Sequence, residues 1–193
     1  MAQERARYTE FEDPRLARFL FNSTAMAWVW FVARLWLGYK WIDAAAHKVS
    51  NPDWVQTGVA LKGFWERAVA IPAQGRPAIS FDWYRDFLNY LLSTEAYTWF
   101  GKLIAYGELV VGIALVLGAF VGVAALFGAF MNFNFLLAGT ASTNPVLFLI
   151  AIFLILAWKT AGYIGLDYYL LPLVGTPWKR GRIFKARPAP ALT

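Results

Sequence analysis

The chain has 193 residues, of which 59% are hydrophobic, 18% aromatic and only 16% charged, with a net charge of +6. Soluble domains carry about 25% charged residues, so the shortfall points to one integral membrane domain rather than a nucleic-acid-binding protein. There is no cysteine and one histidine, His47. Disulfides, thiolate chemistry, iron–sulfur ligation and bis-histidine haem are therefore excluded within this chain, and no haem, flavin or metal ligand set is evident.

Residues 1–24 mix arginines with glutamates and aspartate and hold no apolar run of the kind a signal peptide needs. They are expected to be a cytoplasmic segment, with 14–21 a short interfacial helix and Asn22, Ser23 and Thr24 supplying N-cap side chains. A first crossing is predicted over 25–46, rich in tryptophan and interrupted by Arg34 and Lys40. Residues 47–101 are broken by Pro52, Pro72, Gly75 and Pro77 and carry two aromatic amphipathic stretches, 54–70 and 81–100. Interfacial tryptophan and tyrosine favour the headgroup level, so this segment is expected to form an extracytoplasmic helical cap that packs and anchors.

From 109 to 158 no charged side chain occurs, well beyond the roughly 20 apolar residues one crossing needs. Glycines at 118 and 122 and the turn 139–145 divide it. With the flanking residues, crossings are expected over 102–119, 121–138 and 145–166, the first two of these as a tight antiparallel pair. The tail, 167–193, has five basic residues and no acid between 178 and 187. Four crossings put both termini on one side, and the positive-inside rule makes that side cytoplasmic. The expected fold is all-α, an integral membrane four-helix bundle with an extracytoplasmic cap between the first and second crossings.

Counting about 1.5 Å per residue sets Arg34, Lys40, Glu108, Asn132 and Asn134 in one outer layer. Arg34, Gly38, Trp41, Ala45 and Lys48 share a stripe, as do Glu108 and Gly112, and small residues beside polar ones allow close helix approach. Either Arg34 or Lys40 pairs with Glu108 simply to make burial tolerable, or these groups line a pocket for an anion or a quinone headgroup. His47 could bond a quinone carbonyl or relay a proton, or form an ordinary interfacial pair with Asp43. Lys159 is expected to snorkel to the headgroups.

Four stretches carry a resemblance: 34–38 with 44–48, 107–118, 132–139 and 161–167. Their order resembles the DoxX/DoxD family of four-helix membrane proteins, and the long insert and Gly165-Leu166-Asp167 ending look most like the DoxD-type large subunit of thiosulfate:quinone oxidoreductase. The resemblance implies a quinone-linked membrane subunit that oxidises thiosulfate to tetrathionate and reduces a membrane quinone, with a second small subunit or another redox membrane protein as partner. By similarity, Arg34, Lys48, Glu108, Asn132 and Asn134 are its landmarks. The expected catalytic residues are Arg34, Glu108 and His47. Arg34, Lys40, Lys48, Asn132, Asn134 and Trp41 are expected to bind substrate or quinone. A non-catalytic scaffold for redox partners and a small-anion transporter, the latter as a homo-oligomer, are the competing classes.

Overall fold

The computed structural model describes residues 12–176. The basic tail at 178–187 and the charges at 4–10 lie outside them. The fold is all-α, with no strand among the described residues.

Helix α1 (Arg15–Asn22) follows Pro14, and a 3₁₀ turn at Thr24–Met26 joins it to α2 (Ala27–Val49) with a 56° bend. Ser23 Oγ accepts the Ala25 amide at 3.3 Å, the cap expected there. Trp30 Nε1 donates to the Leu20 carbonyl at 2.8 Å, and its ring stacks on Phe21, so α1 is held against the start of α2. His47 and Lys48 end α2, where cations favour the helix dipole.

The segment between α2 and the next long helix folds into α3 (Pro52–Val55), α4 (Val59–Val69) and α5 (Asp82–Ser93). Asn51 caps α3, accepting the Asp53 amide at 2.9 Å. Gly58, at φ +74°, separates α3 from α4, and a Cβ there would lie 2.1 Å from the Tyr97 carbonyl oxygen. Only glycine permits both that left-handed turn and that approach. This cap has its own core, in which Leu61, Trp65, Tyr84 and Leu88 pack together.

Helices α6 (Tyr97–Leu117), α7 (Val121–Leu137) and α8 (Asn144–Leu156) follow, then α9 (Trp158–Ala161) and α10 (Asp167–Leu173). The most extensive packing joins α2 to α6 and α7 to α8. The expected α6/α7 pair does share a tight turn, but it packs less closely than either of those pairs. Between α2 and α6, a Cβ on Gly38 would sit 2.9 Å from the Gly112 oxygen, and one on Gly112 would sit 2.9 Å from the Gly38 oxygen. Two glycines facing each other let the backbones approach as the shared stripe suggested.

Three boundaries differ from expectation. Helix α2 runs to Val49 instead of 46, and α6 starts at Tyr97 instead of 102. The stretch expected as one crossing over 145–166 breaks at Ala157 and turns again after Ala161. The Ala161 and Ile164 carbonyls there accept from Arg34 instead of from a following helical turn. By length and composition α6 alone qualifies as a span among the described residues, and α1 with α2 qualifies as a bent pair. Helices α7 and α8 are shorter apolar helices.

Polarity is distributed inside out. Arg34, Glu108, Asn132, Thr160 and Asp167 are buried, while Trp28, Val32, Val110, Ile113, Phe127, Phe130, Leu149 and Phe153 are exposed on the four long helices. Contiguous exposed apolar surface of this extent marks a face meant for something other than water.

Candidate functional site

A cleft of about 650 Å³ opens where the cap meets α2, α6 and the α7–α8 turn. Its polar floor is Lys48 and Glu108. Lys48 Nζ lies 2.7 Å from Glu108 Oε2 and 3.4 Å from the Ala44 carbonyl oxygen, and 5.4 Å from the Trp54 ring centre. The Glu108 side chain is 1% exposed and that of Lys48 18%, so the acid is sealed beneath a cation that still reaches the cleft. The antiparallel α2/α6 pairing sets this contact: Gly112 faces Gly38 and Ile42, and Glu108 is one turn nearer the cap.

Lys40, Asp43 and Arg67 also line the cleft, with Trp54, Phe64 and Phe135 as aromatic walls and Thr140, Ser142, Thr143 and Asn144 along the α7–α8 turn. With Lys48 paired to Glu108, the remaining lining charges are Lys40 and Arg67 against Asp43, a small positive excess that favours an anion. Trp41 lines the cleft too, and its buried Nε1 has no hydrogen-bond partner. Neither polar atom of the fully buried Asn132 side chain has a partner either. Gly128, one turn before Asn132, lies beside Trp41: a Cβ there would be 3.1 Å from Trp41 Nε1. Buried donors and acceptors are nearly always satisfied in folded proteins, so these two side chains are exceptions inside the helix packing; Asn132 does not line the cleft, and Trp41 Nε1 is turned to Gly128.

The expected site residues separate into three groups. Lys40, Trp41, Lys48 and Glu108 meet in the cleft, and Asn132 is buried on the α7 face that Gly128 presents to Trp41. Arg34 does not belong to this layer. Its guanidinium, 1% exposed as a residue, donates through Nε to the Ala161 carbonyl at 3.1 Å and through Nη1 to those of Leu115 and Val116 at 2.6 and 2.7 Å. It donates through Nη2 to the Ile164 carbonyl. It therefore caps the end of α6 remote from the cleft, and it pairs with neither Glu108 nor a substrate-facing group.

His47 does not line the cleft, although Asp43 beside it does. Its side chain is 83% exposed and lies 4.0 Å from Asp43, the ordinary interfacial pair. Asn134 holds the cap instead: its Nδ2 donates to the Phe130 carbonyl at 2.8 Å, and the Tyr84 hydroxyl reaches its carbonyl oxygen at 3.1 Å and its Oδ1 at 3.3 Å. Burial pushes the Tyr84 phenol up to about 12, so it remains a neutral donor.

Arg67 was not expected at the site, although its spacing carried a signal. Ala60, Gly63 or Phe64, and Arg67 recur at helical intervals on α4 and all face the cleft. No protein-family model, curated protein or solved structure matches this chain.

Proposed function

We propose that this is a multi-pass protein of the cytoplasmic membrane, with both termini cytoplasmic, whose cleft passes electrons from a small reduced-sulfur anion to a membrane quinone. The distribution of polarity supports the membrane reading: apolar side chains of α2, α6, α7 and α8 would meet lipid, Arg34 and Glu108 are enclosed, and the exposed Asp43, His47 and Lys102 lie toward the cap end of α2 and α6. The four long helices would then be the crossings and the cap would lie on the outer surface.

The observation that carries the redox reading is the sealed Lys48–Glu108 pair beneath an aromatic-walled cleft. Reducing a quinone takes two electrons and two protons. With Glu108 ionised in the pair, Lys48 is placed to stabilise negative charge developing on a quinone oxygen and to give it a proton, and Glu108 to hold that ammonium in position; both protons the reduction consumes are replenished from water in the cleft. Oxidation of two thiosulfate dianions to tetrathionate releases the two electrons, and Lys40 and Arg67 would draw those anions to the rim. The DoxX/DoxD resemblance suggests this donor, together with a small second subunit as partner. A transport path fits less well, because Arg34 and its carbonyl partners fill the far end of the α2–α6 interface.

The test is thiosulfate-dependent reduction of a soluble quinone analogue by the purified protein, with and without co-purifying partners. Glu108→Gln should lower kcat at least about 100-fold, the usual worth of a positioned acid–base group, while His47→Ala should change it little. Full activity in Glu108→Gln would overturn the reading. Activity only with a partner would make this chain the quinone-side subunit, and none in either preparation would favour a scaffold.

A further inference from the structure

A second space lies beside the cleft. It is an apolar pocket of about 140 Å³ between the cap and the α6/α7 side of the long helices, reached by Phe87 and Leu88 of α5, Ile104 of α6 and Phe130 of α7. Its mouth is on the outside of the molecule: Phe87 is 44% exposed and Phe130 63%. Leu103 and Phe127, next to it on α6 and α7, are also exposed, so the mouth opens onto the apolar surface and not onto the polar rim of the cleft. Phe64 and Phe135 line both spaces. Their rings meet edge to face with centres 6.3 Å apart, which makes them the partition between the polar cleft and the apolar side pocket.

We infer that the side pocket is the seat of an isoprenoid or alkyl tail. A quinone would reach the cleft laterally from the lipid phase, its headgroup passing between Phe64 and Phe135 while its tail stays among Phe87, Leu88, Ile104 and Phe130. This inference rests on the quinone reading of the cleft and deepens it. The two substrates then use different doors, the anion by the polar rim and the quinone through the side. The chemistry of each wall sorts them: cations and hydroxyls face the rim, whereas the side pocket is almost wholly apolar apart from Tyr84 and Asn134, whose polar groups bond each other. An aromatic pair suits a partition of this kind, because ring rotation can open it without breaking a hydrogen bond.

The experiment compares a decyl-tailed quinone with its tail-less parent in wild type and in Ile104→Trp, which fills the pocket from its mouth. In parallel, a tailed quinone with a photoreactive diazirine on the chain is cross-linked and mapped by mass spectrometry. Wild type should favour the tailed quinone by about tenfold in kcat/KM, the worth of burying roughly two methylene groups, and Ile104→Trp should bring that ratio near one. The label should fall on α5, α6 and α7 around the pocket. Phe87→Trp is the second plug if Ile104→Trp does not fold. An equal preference in wild type, a ratio unaltered by both plugs, or labels on another face would overturn the inference. If neither quinone is reduced, the label still decides: labels at the pocket keep the tail seat and remove the redox reading, and labels elsewhere remove the tail seat.

Discussion

Two ends of the same helix pair bury a charge, and they satisfy it in opposite ways. At the cap end of α2/α6, Lys48 meets Glu108 in a direct ion pair, and the neighbouring Trp41 and Asn132 keep unused polar atoms. At the far end, Arg34 gives its donors to four backbone carbonyls, its charge rests 4.9 Å from the Phe31 ring centre, and Asp167 attracts it electrostatically. Asp167 is committed as well: its carboxylate accepts the amides of Phe120 and Val121 at the start of α7, where an anion complements the helix dipole. Gly118 and Gly165 make the room, since a Cβ on either would come within 2.9 Å of the guanidinium. The far end is a finished knot of helix termini, and the cap end is an unfinished one. Burial of charge is common to both, so burial alone does not identify a functional residue. An ion pair with one member still open to a cleft is the better sign.

The largest effect should come from the knot. Arg34→Met removes a donor from four carbonyls; that of Leu115 keeps the Gly118 amide, and the other three each cost about 1–3 kcal/mol when left unsatisfied. The expected loss is at least about 3 kcal/mol, seen as poor recovery of monodisperse protein and a large drop in Tm in detergent. Adding Asp167→Leu should deepen the loss, because each residue serves the backbone and not chiefly the other. A double variant more stable than Arg34→Met alone would show that the knot is an ion pair after all.

The cap end should behave in the reverse way. Lys48→Met leaves Glu108 buried without its cation, which should cost about 3–5 kcal/mol. Lys48→Met with Glu108→Leu removes both charges, and stability should return to within about 1 kcal/mol of wild type, as buried pairs replaced by apolar residues commonly do. Under the proposed redox reading, quinone reduction should be lost in the single variant and should not return in the stable double variant. If the double variant were as unstable as the single, the pair would be structural, and the contrast between the two ends would disappear.

The sequence made part of this contrast legible. The all-helical fold, the separate cap and the close α2/α6 approach follow from apolar runs, proline breaks and the Gly38 and Gly112 stripes, all of which are local signals. The partner of Glu108 was placed wrongly because depth was counted from a helix end. Helix α6 begins five residues earlier than its apolar run suggests and rises beside the cap, where a Cβ on Gly101 would lie 2.6 Å from the Trp54 carbonyl oxygen. That brings Glu108 level with Ala44, within reach of Lys48 bending back along α2. The role of Arg34 was hidden for another reason. Its acceptors are backbone atoms 81 to 130 residues away, and carbonyl groups leave no trace in side-chain identity. Only the glycines at 118 and 165 hint at it, and glycines in apolar helices have many other uses.

The smallest effect concerns how the cap is held, and it sharpens the comparison from a third point. Neither a charge nor a glycine contact but a neutral bond, Tyr84 to Asn134, links α5 to α7. Tyr84→Phe should cost about 1 kcal/mol, the net worth of one hydrogen bond, without the collapse expected for Arg34. It should also change the alkaline response. The folded-state value of Tyr84 is raised from 10.0 to about 12, so the folded protein holds that proton more tightly than the unfolded chain does. The stability linked to it is complete below pH 10 and is lost as pH rises through about 12. Unfolding of both proteins between pH 9 and 12 should therefore show wild type losing its advantage over Tyr84→Phe across this window. A constant difference would mean that the phenol is not what docks the cap. The cap would then rest on its apolar core and on the close approaches of Gly58 to Tyr97 and of Gly101 to Trp54.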